Sequence, residues 1–316
     1  MKQLFKYLPE PRNLFEEGFI RLSQMVALND PFEASFCMAS LEQLSSHFDE
    51  SNAYDLELGK LSFSDYVQKN MHHIGVISFS ENKENLLMWA HYANEHKGVI
   101  AGVSQFDERS IFYKLFRADA LINTSMAEEF SPFDGVAKPV SYRKGLRYRH
   151  DKFDYDYSNI SVEGADRILY EVFMQKSDEW IYEQEHRVVL RLEQADRVII
   201  DKLQDVENEP IRKLLAANPH VKIDQDTGRC SIDLWMFDDD SLRVAVAMSL
   251  VKLSKKPSTI FLMRLCASSI NNCLIGLKSS LKKQDVLGGY ANSVGYLDVW
   301  KATKNSDYYS LEFEEI

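Results

Sequence analysis

Short apolar runs of strand length alternate with amphipathic stretches of helical period along most of this chain, and nothing else restricts its fold as strongly. A strand buries one face and a helix one stripe, so a chain that interleaves them packs as a mixed α/β or α+β core. Strands are predicted at Gln3–Leu8 (closed by Pro9 and Pro11, which cannot join a ladder), Phe19–Leu22, Val76–Phe79, Val99–Val103, Tyr182–Leu192, Arg197–Ile200 and Thr259–Met263. Helices are predicted over Arg12–Glu17 with Gly18 as its cap, Ser35–Phe48, Phe63–His72 and Asn85–Asn94 with Gly98 ending it. Further helices are predicted over Asp166–Lys176, Ile211–Ala217 and Ser268–Lys282. Residues 104–160 read as an irregular insertion, and 294–316 as two edge strands, Tyr296–Ala302 and Tyr308–Phe313. No repeat or long linker interrupts the chain. The expected architecture is a single α+β domain, residues 1–316, with a split mixed or antiparallel sheet flanked by helices.

Charge narrows the partners. Lys plus Arg number 37 and Asp plus Glu 48, a net charge of −11, which excludes a non-specific polyanion binder. Cys37, Cys230, Cys266 and Cys273 lack the spacing of a zinc knuckle or a disulfide frame and read as reduced thiols. No apolar run approaches the roughly 18 residues that a membrane span needs, and the N-terminus has no leader-like apolar region. A soluble, cytoplasmic protein without a membrane partner is expected. The motifs GxGxxG, GK[ST], HExxH and GxSxG are all missing.

Polar residues of specific kinds concentrate in three stretches instead. These are Asn29-Asp30-Pro31-Phe32-Glu33; Phe79-Ser80-Glu81 followed by Asn85 to Ala93 and His96-Lys97-Gly98; and Lys176 with Trp180 and Tyr182 to Arg187. In their order and spacing, over roughly residues 4–280, the strings NDPFE, FSE…NLLMWAHYA…HKG and W-x-YEQEHR resemble the bacterial family catalogued as domain of unknown function 2971. The family name carries no reaction. Its members' association with anti-phage genes implies an effector or toxin role, or a sensor in a defence complex, with an antitoxin or complex partner.

In a strand, Glu183, Glu185 and Arg187 would share one face. Two carboxylates and an arginine side by side can stabilise positive charge and accept a proton, or can be a solvated face with a surface ion pair. Glu-x-Glu on a strand resembles the pattern of arginine-directed ADP-ribosyltransferases. The strand, helix and strand around Ser80, Trp89 and Tyr92 are similar to the central segment of poly-ADP-ribose polymerases. The resemblance implies NAD as substrate and a protein or nucleic-acid acceptor. It implies Glu185 holding the ribose, Glu183 readying the acceptor and Tyr92 stacking on nicotinamide. Ser80, Trp89, His91, Lys176 and Arg187 then supply NAD contacts, while Trp89 and Tyr92 also suit a core-facing helix stripe. Lys6, Tyr7, Arg12 and Arg21 are weaker counterparts of a first-strand ligand residue.

Two further readings stay open. Asn29, Asp30 and Glu33 suit an Asx turn and helix cap. Asp30, Glu33, Glu183 and Glu185 could instead form a carboxylate magnesium site of a nuclease. No metal is expected under the transferase reading. The basic aromatic stretch Tyr142–His150 suits either a nucleic-acid substrate or a solvated loop.

Overall fold

The computed structural model describes residues 2–11, 14–42, 63–105, 115–117, 119–121, 131–146, 162–290 and 297–316. Arg12, the second half of the helix expected over 35–48, and residues 147–156 lie outside them. The strands are β1 (Lys2–Leu8), β2 (Phe19–Gln24), β3 (Ile74–Ser80), β4 (Val99–Gln105), β5 (Lys138–Pro139), β6 (Ser141–Arg143), β7 (Gln175–Ser177) and β8 (Glu185–Arg191). They continue with β9 (Arg197–Ile200), β10 (Val221–Ile223), β11 (Cys230–Asp233), β12 (Ile260–Arg264), β13 (Ile270–Ile275), β14 (Asp298–Lys304) and β15 (Leu311–Glu315). The α-helices used below are α1 (Leu14–Glu17), α2 (Phe63–Asn70), α3 (Leu86–Tyr92), α4 (Val162–Phe173) and α5 (Asp240–Val251).

Among the described residues, thirteen strands form one sheet and β6–β7 a separate parallel pair; of the described pairings in the large sheet, β13 with β14 is parallel and the others are antiparallel. The architecture is α+β with a mixed, mostly antiparallel sheet. Its decisive feature is at β3. One edge of β3 pairs with β8 along its whole length, from Ile74↔Arg191 to Ser80↔Glu185. The other edge is shared: β2 takes Gly75 and Val76, and β1 takes Ser80. The sheet forks there, and across the gap Lys6 Nζ donates to the Ser78 carbonyl at 2.9 Å.

Side-chain alternation gives the two faces different jobs. Ile77 and Phe79 of β3, with Val188 and Leu190 of β8, enter the main core beside Leu4 and Leu22. Ile74, Val76 and Val189 face the opposite side, under Val67 of α2 and Leu169 and Phe173 of α4. Continuing along that second face, the apolar pairs give way to Ser78, Ser80, Glu185 and Arg187. The cover of α2 and α4 thus grades into a polar patch at the fork.

Several expectations need correction. Within the stretch expected as a helix over 268–282, Ile270–Ile275 form β13, paired between β4 and β14, because a short apolar run cannot be assigned to helix or strand by periodicity alone. The C-terminal pair is also only half an edge: β14 lies inside and β15 is the edge. Gly98 does not end α3 by a left-handed turn. Asn94, Glu95 and His96 adopt positive φ themselves, and Gly98 is required because a Cβ there would lie 2.2 Å from the Leu8 carbonyl oxygen. Gly18, by contrast, caps α1 at φ +74° as expected. Helix α5 escaped the sequence reading, since exposed Val244 and Met248 blur its stripe. Cys37, Cys230, Cys266 and Cys273 are joined by no disulfide among the described residues.

Candidate functional site

Asn85 starts the site. Its side-chain oxygen caps α3 by accepting from the Leu87 and Met88 amides, and its Nδ2 donates to the Tyr182 carbonyl at 2.7 Å. One side chain therefore ties α3 to the segment that carries Glu183. Ser80, at the end of β3, adds a second tie by donating to the Glu183 carbonyl at 2.7 Å. Tyr92, one helix turn past Met88, then reaches Glu183 Oε1 at 2.7 Å through its hydroxyl.

Glu183 is not on the strand. Residues Asp178–Glu183 form a 3-10 helix capped by Ser177, and Gln184 takes a left-handed conformation, φ 46°, before β8 begins at Glu185. That turn brings Glu183 to the Glu185 side chain without a shared strand face. Lys176, expected as the last residue of a helix over Asp166–Lys176, is not helical, because α4 ends at Phe173. It lies on β7, paired with Tyr142 of β6.

Lys176 Nζ is the hub. It lies 2.6 Å from Glu183 Oε2, 2.9 Å from Glu185 Oε2 and 3.2 Å from Glu33 Oε1, with the Trp180 ring 5.1 Å away. Arg187 is fully buried. It donates to Glu185 from Nε (2.7 Å) and Nη2 (3.0 Å), to Glu33, and to the Phe173 carbonyl (2.7 Å). The Glu185 amide donates to the Tyr142 hydroxyl at 2.8 Å.

The two paired glutamates differ in environment. Burial raises the Glu185 carboxyl, but Arg187 and Lys176 outweigh it and hold the group down at about 2. With Ser78 also bonded to it, Glu185 has its roughly four acceptor positions filled. For Glu183 burial prevails over Lys176 and Tyr92, so its carboxyl is raised. Burial also lowers Lys6 to about 8, partly offset by Glu185. It raises the Tyr92 phenol, with the Glu183 charge adding to the effect. Lys176 is held above the ordinary lysine value, because Glu185 and Glu33 outweigh its desolvation.

A cavity of ≈ 170 Å³ opens onto this cluster at the fork, lined by Lys6, Ser80, Met88, Tyr92, Lys176 and Glu183, with Asp30, Glu33 and Glu185 also in its wall. An engineered cavity of about 150 Å³ admits a benzene ring, so this one has room for a single ring-sized group. Four carboxylates face it against two lysines, with Arg187 behind.

Of the residues singled out from sequence, Ser80, Tyr92, Lys176, Glu183 and Glu185 converge at this cavity, and Arg187 supports it from behind. Trp89 and His91 do not reach it. Trp89 is a core residue, edge-on to Tyr7, with its indole nitrogen donating to the Lys83 carbonyl at 2.8 Å. His91 is exposed and is not part of the cavity wall. Asp30 forms the expected Asx turn, accepting from the Phe32 amide at 2.9 Å, but no helix starts there, and Glu33 is drawn into the cluster. Of the four carboxylates considered for magnesium, Glu33, Glu183 and Glu185 are paired with Lys176 or Arg187. Among the described residues no group of three or more His, Cys, Asp or Glu could hold a metal ion. Tyr142, which the sequence offers only as the start of a basic aromatic stretch, and Met88, which it offers only as part of the NLLMWAHYA string, both join the site.

The segment from α3 to the first turn of β8 holds most of the cluster. Residues 88–188 match the family model described as Protein of unknown function (DUF2971). The DUF2971 match takes in Tyr92, Lys176, Glu183, Glu185 and Arg187, and leaves Asp30, Glu33 and Ser80 outside it. No curated protein and no solved structure matches the chain. No helix among the described residues is long and apolar enough to cross a membrane.

Proposed function

We propose that this protein transfers ADP-ribose from NAD to a macromolecular acceptor, with the Glu183 carboxylate facing the ribose. One observation carries the reading: a ring-sized cavity at a sheet fork whose wall holds more carboxylates than cations. Such a wall favours a cationic group, and oxidised nicotinamide carries its positive charge on the ring. As the bond between ribose and nicotinamide breaks, its electron pair leaves with the nicotinamide nitrogen. The positive charge moves to the ribose, where Glu183 stabilises it. The acceptor then bonds to the anomeric carbon and gives up its proton to solvent, while the nicotinamide departs neutral.

Both oxygens of Glu183 accept bonds, from Tyr92 and Lys176, which suits an ionised carboxylate. Tyr92 forms a wall for the nicotinamide ring, and Ser80 fixes the Glu183 backbone. Glu185, expected from the resemblance to act on the ribose, fits a positioning role better, because Arg187, Lys176 and Ser78 occupy it. An effector or toxin role in anti-phage defence, checked by a partner, is the setting that the family resemblance implies. Titration calorimetry tests the binding half. Oxidised NAD should bind about tenfold more tightly than NADH, as expected for one unit of charge in a partly desolvated wall. Equal affinity, or no binding of either, would contradict the reading.

A further inference from the structure

We infer that Asp30 closes a second pocket that binds a primary alkylammonium group. The turn Asn29–Ala34 has the cluster cavity on one side and, on the other, a separate cavity of ≈ 460 Å³. Met25, Leu28, Phe36 and Met71 supply apolar walls to this outer pocket, and Asp30 and Glu33 belong to both cavities. Glu33 is committed to Arg187 and Lys176. Asp30 is not. It is only 6% exposed; Oδ1 accepts from the Phe32 amide, and buried Oδ2 has no hydrogen-bond partner. A buried carboxylate oxygen without a donor is costly, and a ligand that brings a charged N–H recovers that cost.

The geometry selects the cation. Only one Asp30 oxygen is available, which suits the point charge of an ammonium; the planar fork of a guanidinium needs two. The apolar walls suit an alkyl stem. Among the described residues lining the pocket there is no lysine or arginine, and His72 on its rim is pushed towards the neutral form by burial and by Lys255. The same chemistry occurs in a lysine side chain of a partner protein and in a free polyamine.

The proposal concerns binding alone and does not rest on the NAD reading. Calorimetry without NAD tests it, using n-pentylamine, 1-pentanol, 1,5-diaminopentane and an N-acetylated lysine peptide. Pentylamine should bind, and Asp30→Asn, whose amide oxygen keeps the bond to Phe32, should weaken it about tenfold or more. The ligand-free Asp30→Asn protein should melt no lower than wild type. Met25→Trp, which fills the pocket and leaves Asp30 in place, should also abolish binding, and decides the matter if Asp30→Asn does not fold. Tighter binding of the peptide assigns the site to a protein partner, and tighter binding of the diamine to a polyamine. No binding of pentylamine, equal binding of pentanol, or unchanged affinity in both variants would overturn the proposal.

Discussion

Arg187 shows how much of the site is held by one side chain. It is fully buried and satisfies Glu33 and Glu185 together, so removing it leaves two buried carboxylates short of a partner. Arg187→Ala should cost about 3–5 kcal/mol, the range for breaking a buried ion pair, read from urea unfolding. A loss within about 0.5 kcal/mol, the size of a surface substitution, would mean the cluster is not held this way. Acid titration separates the two glutamates. Glu185 stands at about 2 in the folded chain against an ordinary 4.5. Its contribution is complete above pH 4.5 and is lost as pH falls towards 2. Glu183 is raised, so its ionisation opposes folding as pH climbs past 4.5. Stability measured between pH 5 and 2.5 should fall in wild type and in Glu183→Gln, and should fall less steeply in Glu185→Gln. An unchanged slope in Glu185→Gln would contradict the assignment.

At the scale of elements, α3 is set by Asn85 and by the close passage at Gly98. Asn85→Ala should cost about 1 kcal/mol as a lost cap, and more because the Tyr182 carbonyl loses its donor. Asn85→Asp keeps the cap and loses only the tie to Tyr182. It should keep most of the thermal stability while weakening NAD binding; full binding in Asn85→Asp would separate the helix from the site. Gly98→Ala should cost about 3 kcal/mol, towards the upper end of overpacking penalties, because its Cβ has no room beside Leu8. The helix itself was legible, since Asn85 and the Leu86–Tyr92 stripe are local signals. So were β3 and the apolar body of β8, Val188 to Leu190, although β8 begins at Glu185 and not at Tyr182. The left-handed Gln184 was not, because the 3-10 turn before it is fixed by Ser177 and by contacts from Ser80 and Asn85, far away in sequence. Glu33 was read as local turn chemistry for the same reason. Its partner Arg187 lies more than a hundred residues on, and spacing alone does not reveal a tertiary ion pair. Trp89 went the opposite way: an aromatic beside a candidate residue proved to be core, which the helical period already allowed.

Across the whole molecule, the fork in the sheet turns these local features into a site. β1 and β2 part on one edge of β3 while β8 holds the other, leaving a ring-sized cavity over the charged end of the second face. The net charge of −11 makes association with polyanions unfavourable overall. Under the proposed transfer reaction, that charge favours a protein acceptor over a nucleic acid. Overexpression should arrest bacterial growth, with Glu183→Gln relieving the arrest; a harmless wild type would favour a sensing or binding role. The chemistry itself is tested most directly with NAD labelled in its adenylate, incubated with the purified protein and cell lysate in the presence of EDTA. Wild type should release nicotinamide and attach label to a macromolecular fraction, and Glu183→Gln should do neither while remaining folded. No release and no label from wild type, or full transfer by Glu183→Gln, would contradict the account.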